Sequence, residues 1–186
     1  MANSYSQIYV HLVFSVAYRD ALIYETFREE LYKYITGGIK AQGHFLIAIG
    51  GMSDHIHILI RYNPSQSLSA LVQSIKIQSA KWINSNRFVK CHFAWQKGYG
   101  AFSYSQSQVS AVTKYINNQQ QHHQQLSFID EYRRMLEQFQ IEFNNEYLFT
   151  ELQQYPIPKG IEQARHGHSP ALRTGLHYQL PLATIF

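Results

Sequence analysis

The apolar stretch from His55 to Ile60 constrains the fold of this chain more than any other segment. It is short and alternating, which predicts a β-strand with His55 and His57 on one face and the isoleucines on the other. Residues two apart along a strand are separated by roughly 6 to 7 Å, so both imidazoles could hold one metal ion. A packed histidine pair without a ligand would give the same pattern, and the rest of the sequence has to separate the two interpretations.

Strands and helices follow one another in an order that indicates a fold class. Periodicity and turn residues predict strands over 5–16 and 45–49, the histidine strand, a strand with a bend or bulge over 92–104, helices over 25–40, 68–84 and 107–122, and a last helix beginning at Ser127. The order β-α-β-β-α-β predicts an α+β protein with the ferredoxin-like split βαβ arrangement, an antiparallel sheet followed by two additional helices. Because strands one and three are central neighbours there, His11 is expected on the same sheet face as the histidine pair.

Length and proline distribution predict one domain with an appended segment. With 186 residues and 45% hydrophobic composition, the chain can build one sizeable core. Four of the five prolines lie after residue 155, where no helical or strand period continues. We therefore expect a domain over 1–155 and an irregular, proline-rich arm or tail over 156–186.

Composition also indicates the compartment and the kind of partner. The single cysteine, Cys91, fits a reducing cytoplasm, and the absence of a leader or a long apolar run predicts a cytoplasmic protein that does not bind membranes. The formal charge is +4, and no acidic residue occurs between Asp54 and Asp130. The charged residues of this section are all basic, which favours a polyanionic partner. Its candidate DNA-binding residues are Lys76, Lys81, Arg87, Lys90, Lys97 and Lys114.

A second group of polar residues lies on the third predicted helix. Tyr115 and Gln119 are four residues apart and share one helical face, with His122 about a turn further along. A tyrosine can attack a DNA phosphodiester and keep the bond energy in a phosphotyrosine, while a bound cation polarises the phosphate. His55, His57 and the carbonyl oxygen of Gln119 would be three neutral ligands for that cation. The acid-free section argues against a two-metal nuclease.

These motifs resemble the single-tyrosine HUH transposases, the insertion-sequence and REP-associated enzymes. The family is named for a His-hydrophobic-His pair and carries a Tyr-x-x-x-Gln helix, which here are His55-Ile56-His57 and Tyr115 to Gln119. Further matching segments are residues 10–15, 52–59, 95–102 and 119–123. The resemblance extends in order over roughly residues 5 to 150, which makes it far more specific than either motif alone.

The resemblance implies a metal-dependent DNA transposase that nicks and rejoins single-stranded DNA, typically beside a hairpin, through a 5′-phosphotyrosine. The residues it implies are Tyr115 as nucleophile and His55, His57 and Gln119 as ligands of one Mg²⁺ or Mn²⁺ ion, with His11 and His122 as candidates for contacts behind the ligands. It also implies a homodimer, in which the tyrosine helix of one subunit often completes the site of the other.

Two other functions remain open from the sequence. A non-catalytic, domesticated protein could bind hairpin DNA or RNA on the same fold, stacking bases on Tyr9 or on Phe93 and Trp95. A zinc hydrolase could use His11 as a third ligand, although no acidic residue follows the histidine pair until Asp130.

Overall fold

The computed structural model describes residues 5–123 and 126–144 together with Leu148, except for the side chain of His122. Backbone contacts divide the chain into two units, Met1–Phe143 and Asn144–Phe186. The helices and strands given below all belong to the first unit. The arm predicted over 156–186 and the domain boundary predicted at residue 155 lie outside the described residues.

In the described part of the chain, four strands and five helices follow the predicted order. The strands are β1 (Ile8–Ser15), β2 (Phe45–Gly51), β3 (His55–Tyr62) and β4 (Gly100–Tyr104), and the helices are α1 (Glu25–Ala41), α2 (Leu68–Ser85), α3 (Val109–Asn117), α4 (Gln119–His122) and α5 (Phe128–Gln138). The strands form one antiparallel sheet in the order β2-β3-β1-β4. This arrangement confirms the predicted α+β, ferredoxin-like class.

Pairing of the two central strands brings His11 to the histidine pair. Strands β1 and β3 are antiparallel, with Val13 opposite His57 and Ser15 opposite His55. Side chains opposite each other point to the same face, and those two apart along a strand do so as well. His11 therefore shares the face of both histidines, as predicted.

The opposite face of the same strands carries the apolar core. Its buried strand residues are Val10, Leu12, Phe14, Ile56, Ile58 and Ile60, and α1 and α2 cover them with Phe27, Leu31, Ile35, Ile39, Leu71, Val72, Ile75 and Ile83. The side chain of Ser67 begins α2 by accepting a hydrogen bond from the backbone N–H of Ala70. Across the described residues, every helix falls short of the length or the apolar character that crossing a membrane requires.

Helix α3 lies over the histidine face because Gly50 leaves room for it. Gly50 is opposite His57 in the β2–β3 hairpin. A Cβ atom at Gly50 would lie 2.4 Å from the carbonyl oxygen of Ile116, so the close approach of α3 requires glycine. Ile116 packs there on Ala48 and Leu59. The helix that carries the predicted nucleophile is thereby held above the histidine pair.

The fourth strand is shorter than the predicted strand over 92–104. Its ladder begins at Gly100. The ammonium group of Lys76 donates to the carbonyl oxygens of Gln96, at 2.9 Å, and of Gly98. In this loop the two carbonyl groups therefore accept hydrogen bonds from a side chain instead of pairing in a strand. Gly98 also adopts a left-handed φ of 81°, which turns the chain just before β4.

The helix predicted over 107–122 is interrupted. After α3 ends, Asn118 has φ −101° and ψ 18°, outside the helical region, and the short helix α4 follows. The residues before α3 form a 3₁₀ turn, Gln106–Gln108. The predicted nucleophile and the predicted amide ligand therefore lie on two consecutive helices instead of one.

Candidate active site

His55 and His57 are almost completely buried, with 1% and 0% of their surface exposed. His55 Nδ1 donates to Asp54 Oδ1 at 2.7 Å, and His57 Nδ1 is hydrogen-bonded to His11 Nε2 at 3.0 Å. The Nε2 atoms of His55 and His57 are buried and have no hydrogen-bond partner among the described residues. Each ring is thus held at Nδ1 and leaves Nε2 for a ligand.

Burial favours the neutral form of the His57 and His11 imidazoles. It lowers the pKa of His57 to about 4 and holds the pKa of His11 well below its ordinary value. Neutral imidazole is the form that binds a metal ion. The Phe128 ring stacks on His55 with centroids 4.1 Å apart, which further restricts the orientation of that imidazole.

Tyr115 lies beside the histidine pair within one chain, and Gln119 is linked to it through Glu131. The Tyr115 ring lies edge-on to His57, with centroids 5.8 Å apart. The Tyr115 hydroxyl donates to Glu131 Oε1, and the Gln119 side-chain nitrogen donates to the same oxygen at 3.1 Å. Gln119 Oε1 is buried without a hydrogen-bond partner in the described structure. The two motifs predicted from the sequence therefore meet at Glu131, which was not predicted.

Glu131, on α5, connects the nucleophile to the histidines. Its second carboxylate oxygen, Oε2, lies 3.7 Å from His57 Nε2 and 3.9 Å from His55 Nε2. Although burial raises its pKa, the nearby His123 and His57 imidazoles and the hydrogen bond from Tyr115 hold the pKa of Glu131 well below its ordinary value. A buried carboxylate therefore faces both the phenol and the imidazoles.

The sequence predicted three neutral ligands, and Glu131 was not among the predicted site residues. No acidic residue lies between Asp54 and Asp130 along the chain, but α5 packs back over the histidine face and brings Glu131 to it. The sequence does contain an indication that Glu131 is buried. Glu131 lies three residues after Phe128 and four before Met135, on the buried stripe of an amphipathic helix. An acidic residue on such a stripe needs a buried partner.

His123 is the other residue that the sequence analysis did not select. Its Nε2 lies 3.0 Å from Glu131 Oε2, and its Nδ1 is hydrogen-bonded to the carbonyl oxygen of Leu126 at 2.8 Å. Burial lowers the pKa of His123, but the hydrogen bond and negative charge of Glu131 raise it overall. Helical spacing favoured the neighbouring His122, whose side chain lies outside the described residues. The interruption at Asn118 changes that spacing.

Together these residues fit a divalent metal ion. Ligand atoms of His55, His57, His123 and Glu131 all lie within 4.8 Å of one another. Imidazole nitrogens and a carboxylate oxygen are common ligands of divalent ions, and two of the nitrogens are buried without another partner in the described structure. The residues present therefore suit a cation at this position.

The Tyr115 phenol is held in its protonated form. Burial and the negative charge of Glu131 raise the pKa of Tyr115 well above its ordinary value. Nucleophilic attack by this oxygen consequently needs a proton acceptor and a positive charge nearby. Glu131 already accepts the phenol hydrogen bond.

The predicted DNA-binding side chains are distributed over several surfaces. Exposed among them are Lys81, Arg87, Lys90, Lys97 and Lys114. Lys114 directly precedes Tyr115, whereas Lys81 lies on α2, in the helix layer on the other side of the sheet. Lys76 differs from the others because its ammonium group holds the loop before β4 and lies 4.9 Å from the centre of the Phe14 ring.

Two aromatic rings that a base-stacking surface would need are buried. Tyr9 is 7% exposed and Phe93 is 0% exposed. Recognition modules of that kind present their aromatic rings to solvent on the open face of the sheet. Here both sheet faces are covered by helices, and the described structure does not favour the base-stacking alternative.

One family model matches this chain, and two solved structures share its fold. The family described as "Transposase IS200 like" matches residues 4–119, more than half of the chain. A candidate transposase from Deinococcus radiodurans R1 superimposes with a TM-score of 0.53 and 20% identity, covering 64% of this chain and 95% of that one. A REP-associated tyrosine transposase bound to a REP hairpin gives 0.51 and 14%, covering 66% and 73%. Comparison with curated protein sequences gives no match.

Proposed function

Because this chain belongs to the IS200-like transposase family, we propose that it nicks and rejoins single-stranded DNA through a 5′-phosphotyrosine at Tyr115, with one divalent cation held at the histidine pair. The meeting of Tyr115 with His55 and His57 at one buried carboxylate supports this proposal most directly. Nucleophile and candidate metal ligands come from segments about sixty residues apart in the chain. A merely structural histidine pair would not require a phenol directed at it.

In the proposed step, the Tyr115 oxygen forms a bond to the phosphorus of the scissile phosphodiester. The bond from that phosphorus to the 3′ oxygen of the preceding nucleotide breaks, and the 3′ oxygen leaves as a hydroxyl after taking a proton from solvent. The phenol proton has an acceptor in Glu131, to which it is already hydrogen-bonded. Attack by a 3′ hydroxyl on the phosphotyrosine reverses the exchange and releases Tyr115, so rejoining needs no external energy source.

A divalent cation, when bound, polarises the phosphate and offsets the charge that develops on its oxygens. His55 and His57 would hold it through their buried Nε2 atoms, with Gln119 Oε1 as the predicted third ligand and Mg²⁺ or Mn²⁺ as the predicted ions. Asp54 and His11 would keep both imidazoles oriented from the Nδ1 side.

We propose single-stranded DNA beside a hairpin as the substrate. The REP-associated transposase to which this chain is similar was solved with a REP hairpin. Exposed Lys114 directly precedes Tyr115 in α3, so it is available to contact a DNA backbone that reaches the nucleophile. Within one chain, Tyr115 already lies beside the histidine pair. The homodimer implied by the resemblance stays a prediction.

The test is formation of a covalent protein–DNA adduct. The full-length protein, incubated with labelled hairpin-flanked single strands and Mn²⁺, should give an adduct that survives denaturing electrophoresis. We expect the adduct to disappear with Tyr115→Phe and when divalent ions are chelated, because each removes a component of the proposed step.

Tyr104→Phe is the matched control. Tyr104 lies on the same sheet face, with its ring 6.1 Å from that of His11, and its hydroxyl has no role in the proposed step. This variant should retain adduct formation. An adduct that persists in Tyr115→Phe would overturn the assignment of the nucleophile.

A further inference from the structure

We infer that His123 and Glu131 complete a four-residue metal site with His55 and His57, and that this site takes a transition-metal ion in preference to Mg²⁺. The inference rests on the proposed function in placing a cation at the histidine pair. It assigns His123 and Glu131 as the further ligands in place of the predicted Gln119, and it adds the class of ion. Both added residues lie outside segment 4–119, over which the chain matches its family.

The distances from the Glu131 carboxylate to the three imidazoles suit ligands of one ion. Glu131 Oε2 lies 3.0 Å from His123 Nε2, 3.7 Å from His57 Nε2 and 3.9 Å from His55 Nε2. Bonds of about 2.0 to 2.2 Å from an ion to nitrogen and oxygen place neighbouring ligand atoms roughly 3 to 4 Å apart. The carboxylate oxygen thus already stands at ligand-to-ligand separation from each of the three nitrogens.

All three imidazoles are oriented from the side away from this oxygen. The group at Nδ1 is Asp54 for His55 at 2.7 Å, His11 for His57 at 3.0 Å, and the carbonyl oxygen of Leu126 for His123 at 2.8 Å. A hydrogen bond at Nδ1 fixes the ring and directs the Nε2 lone pair at a metal, as in most protein sites with histidine ligands. The repetition of this arrangement in three rings is not required by packing alone.

The chemistry of the four ligands decides the class of ion. Mg²⁺ prefers oxygen ligands in a regular octahedron and keeps much of its water. Three imidazole nitrogens and one carboxylate are better matched to Mn²⁺, Fe²⁺, Co²⁺ or Zn²⁺, with affinity rising from Mn²⁺ through Fe²⁺ to Co²⁺. Of the two ions predicted from the sequence, this site favours Mn²⁺.

The test is a Co²⁺ titration of the full-length protein, followed by visible absorption. Coordination by three imidazoles and a carboxylate gives bands distinct from those of hydrated Co²⁺, and their growth reports the affinity without any measurement of activity. We expect Glu131→Gln and His123→Ala each to weaken Co²⁺ binding at least about 100-fold, since each removes a direct ligand. Mg²⁺ in large excess should leave the bands in place.

Exposed residues of the same types provide the controls. Glu137→Gln changes another carboxylate of α5, and His92→Ala removes a histidine on the surface, so both should bind Co²⁺ like the parent protein. Circular dichroism of the metal-free variants identifies any variant that does not fold. If one of the two ligand variants fails to fold, the Co²⁺ affinity of the other tests the inference. Parent-like Co²⁺ affinity in a folded Glu131→Gln or His123→Ala protein, or displacement of Co²⁺ by equimolar Mg²⁺, would overturn the inference.

The inference and the proposed function can fail separately. If the two ligand variants bind Co²⁺ normally while Tyr115 still forms a metal-dependent adduct, the four-residue site is wrong and the proposed function stands. If Co²⁺ binds as expected but no adduct forms at Tyr115 with any divalent ion, the four-residue site stands and the proposed function is wrong.

Discussion

The two faces of the sheet are built by the same strands but bury opposite kinds of side chain. Towards α1 and α2 the central strands present only apolar residues, whereas towards α3 and α5 they present His11, His55 and His57, all less than 2% exposed. Apolar side chains gain free energy from burial without specific partners, about 25 cal/mol per Å². Buried imidazoles need specific partners to offset the loss of water.

The two faces depend on the sequence in different ways. The apolar face needs neighbouring side chains of suitable size, and the alternation of apolar residues along each strand provides them. The polar face needs Asp54 beside the pair, His11 from another strand, and Glu131 from a helix more than seventy residues further on. Stability should therefore depend mainly on one face, and metal binding and activity on the other.

The largest expected effect on stability is on the apolar face. Ile58→Ala removes a side chain with 0% exposure and should lower the free energy of unfolding by about 2–5 kcal/mol. Denaturant unfolding measures this change, and the variant that remains folded should keep the Co²⁺ affinity of the parent protein. Ile77→Ala, at a position 45% exposed, is the control and should change stability by less than about 0.5 kcal/mol. Similar losses in both variants would contradict the proposed division of tasks.

Gly50→Ala tests the contact that holds α3 over the polar face. The added Cβ would meet the Ile116 carbonyl oxygen at 2.4 Å, so α3 must shift, at a cost of about 1–3 kcal/mol. Adduct formation at Tyr115 should fall as well, because α3 carries the nucleophile.

Gly37→Ala is the matched control, in the interior of α1. A Cβ there has no atom within 4 Å, and alanine favours the helix by about 0.4–1 kcal/mol. Thermal unfolding should therefore move in opposite directions for the two variants. A shift in the same direction would mean that the approach of α3 to Gly50 is not tight in solution.

Local periodicity was sufficient to predict the fold. Alternation along β1 and β3 identified the face that His11 shares with the histidine pair, and the order of elements identified the topology. These features depend on residues close together in the chain. The shortened fourth strand was not predictable in this way, because it depends on hydrogen bonds from Lys76 to Gln96 and Gly98.

The candidate site was predictable only in part. Tyr115, Gln119 and the histidine pair form recognisable motifs, and the structure brings them together. Glu131 belongs to no motif of the resemblance, and His123 ends the matching segment 119–123 without a predicted role. Their positions depend on how α5 packs after an interrupted helix. Residue spacing alone describes a continuous helix, which is why it selected His122 and not the adjacent His123.

Asp54→Asn tests whether the polar face depends on orientation as well as on its ligands. Asp54 accepts the hydrogen bond from His55 Nδ1 and contacts Arg19 at 3.6 Å. Loss of its charge should weaken Co²⁺ binding by about 10- to 100-fold, the usual effect of removing a group behind a metal ligand. Asp20→Asn, at an exposed position, should leave the titration unchanged. Unchanged affinity in Asp54→Asn would show that stacking on Phe128 alone orients His55.

The smallest effect is expected from Tyr32→Phe, in the helix layer over the apolar face. The Tyr32 hydroxyl is buried and has no hydrogen-bond partner among the described residues. Its removal should leave the free energy of unfolding at neutral pH unchanged or raise it by up to about 1 kcal/mol. The imidazoles of His55, His57 and His123 on the histidine face differ, because each has a hydrogen-bond partner at Nδ1.

The same variant should change the response to alkaline pH. Burial raises the pKa of Tyr32 from 10.0 to about 12, so the folded state keeps this proton where the unfolded state releases it. The contribution of Tyr32 to stability is then complete below pH 10 and is lost progressively between pH 10 and 12. Unfolding measured across that interval should show a smaller loss of stability in Tyr32→Phe than in the parent protein, by about 2 kcal/mol at its upper end. Parallel pH profiles would mean that the hydroxyl reaches water, and that the apolar side of the sheet is less completely closed than the histidine side.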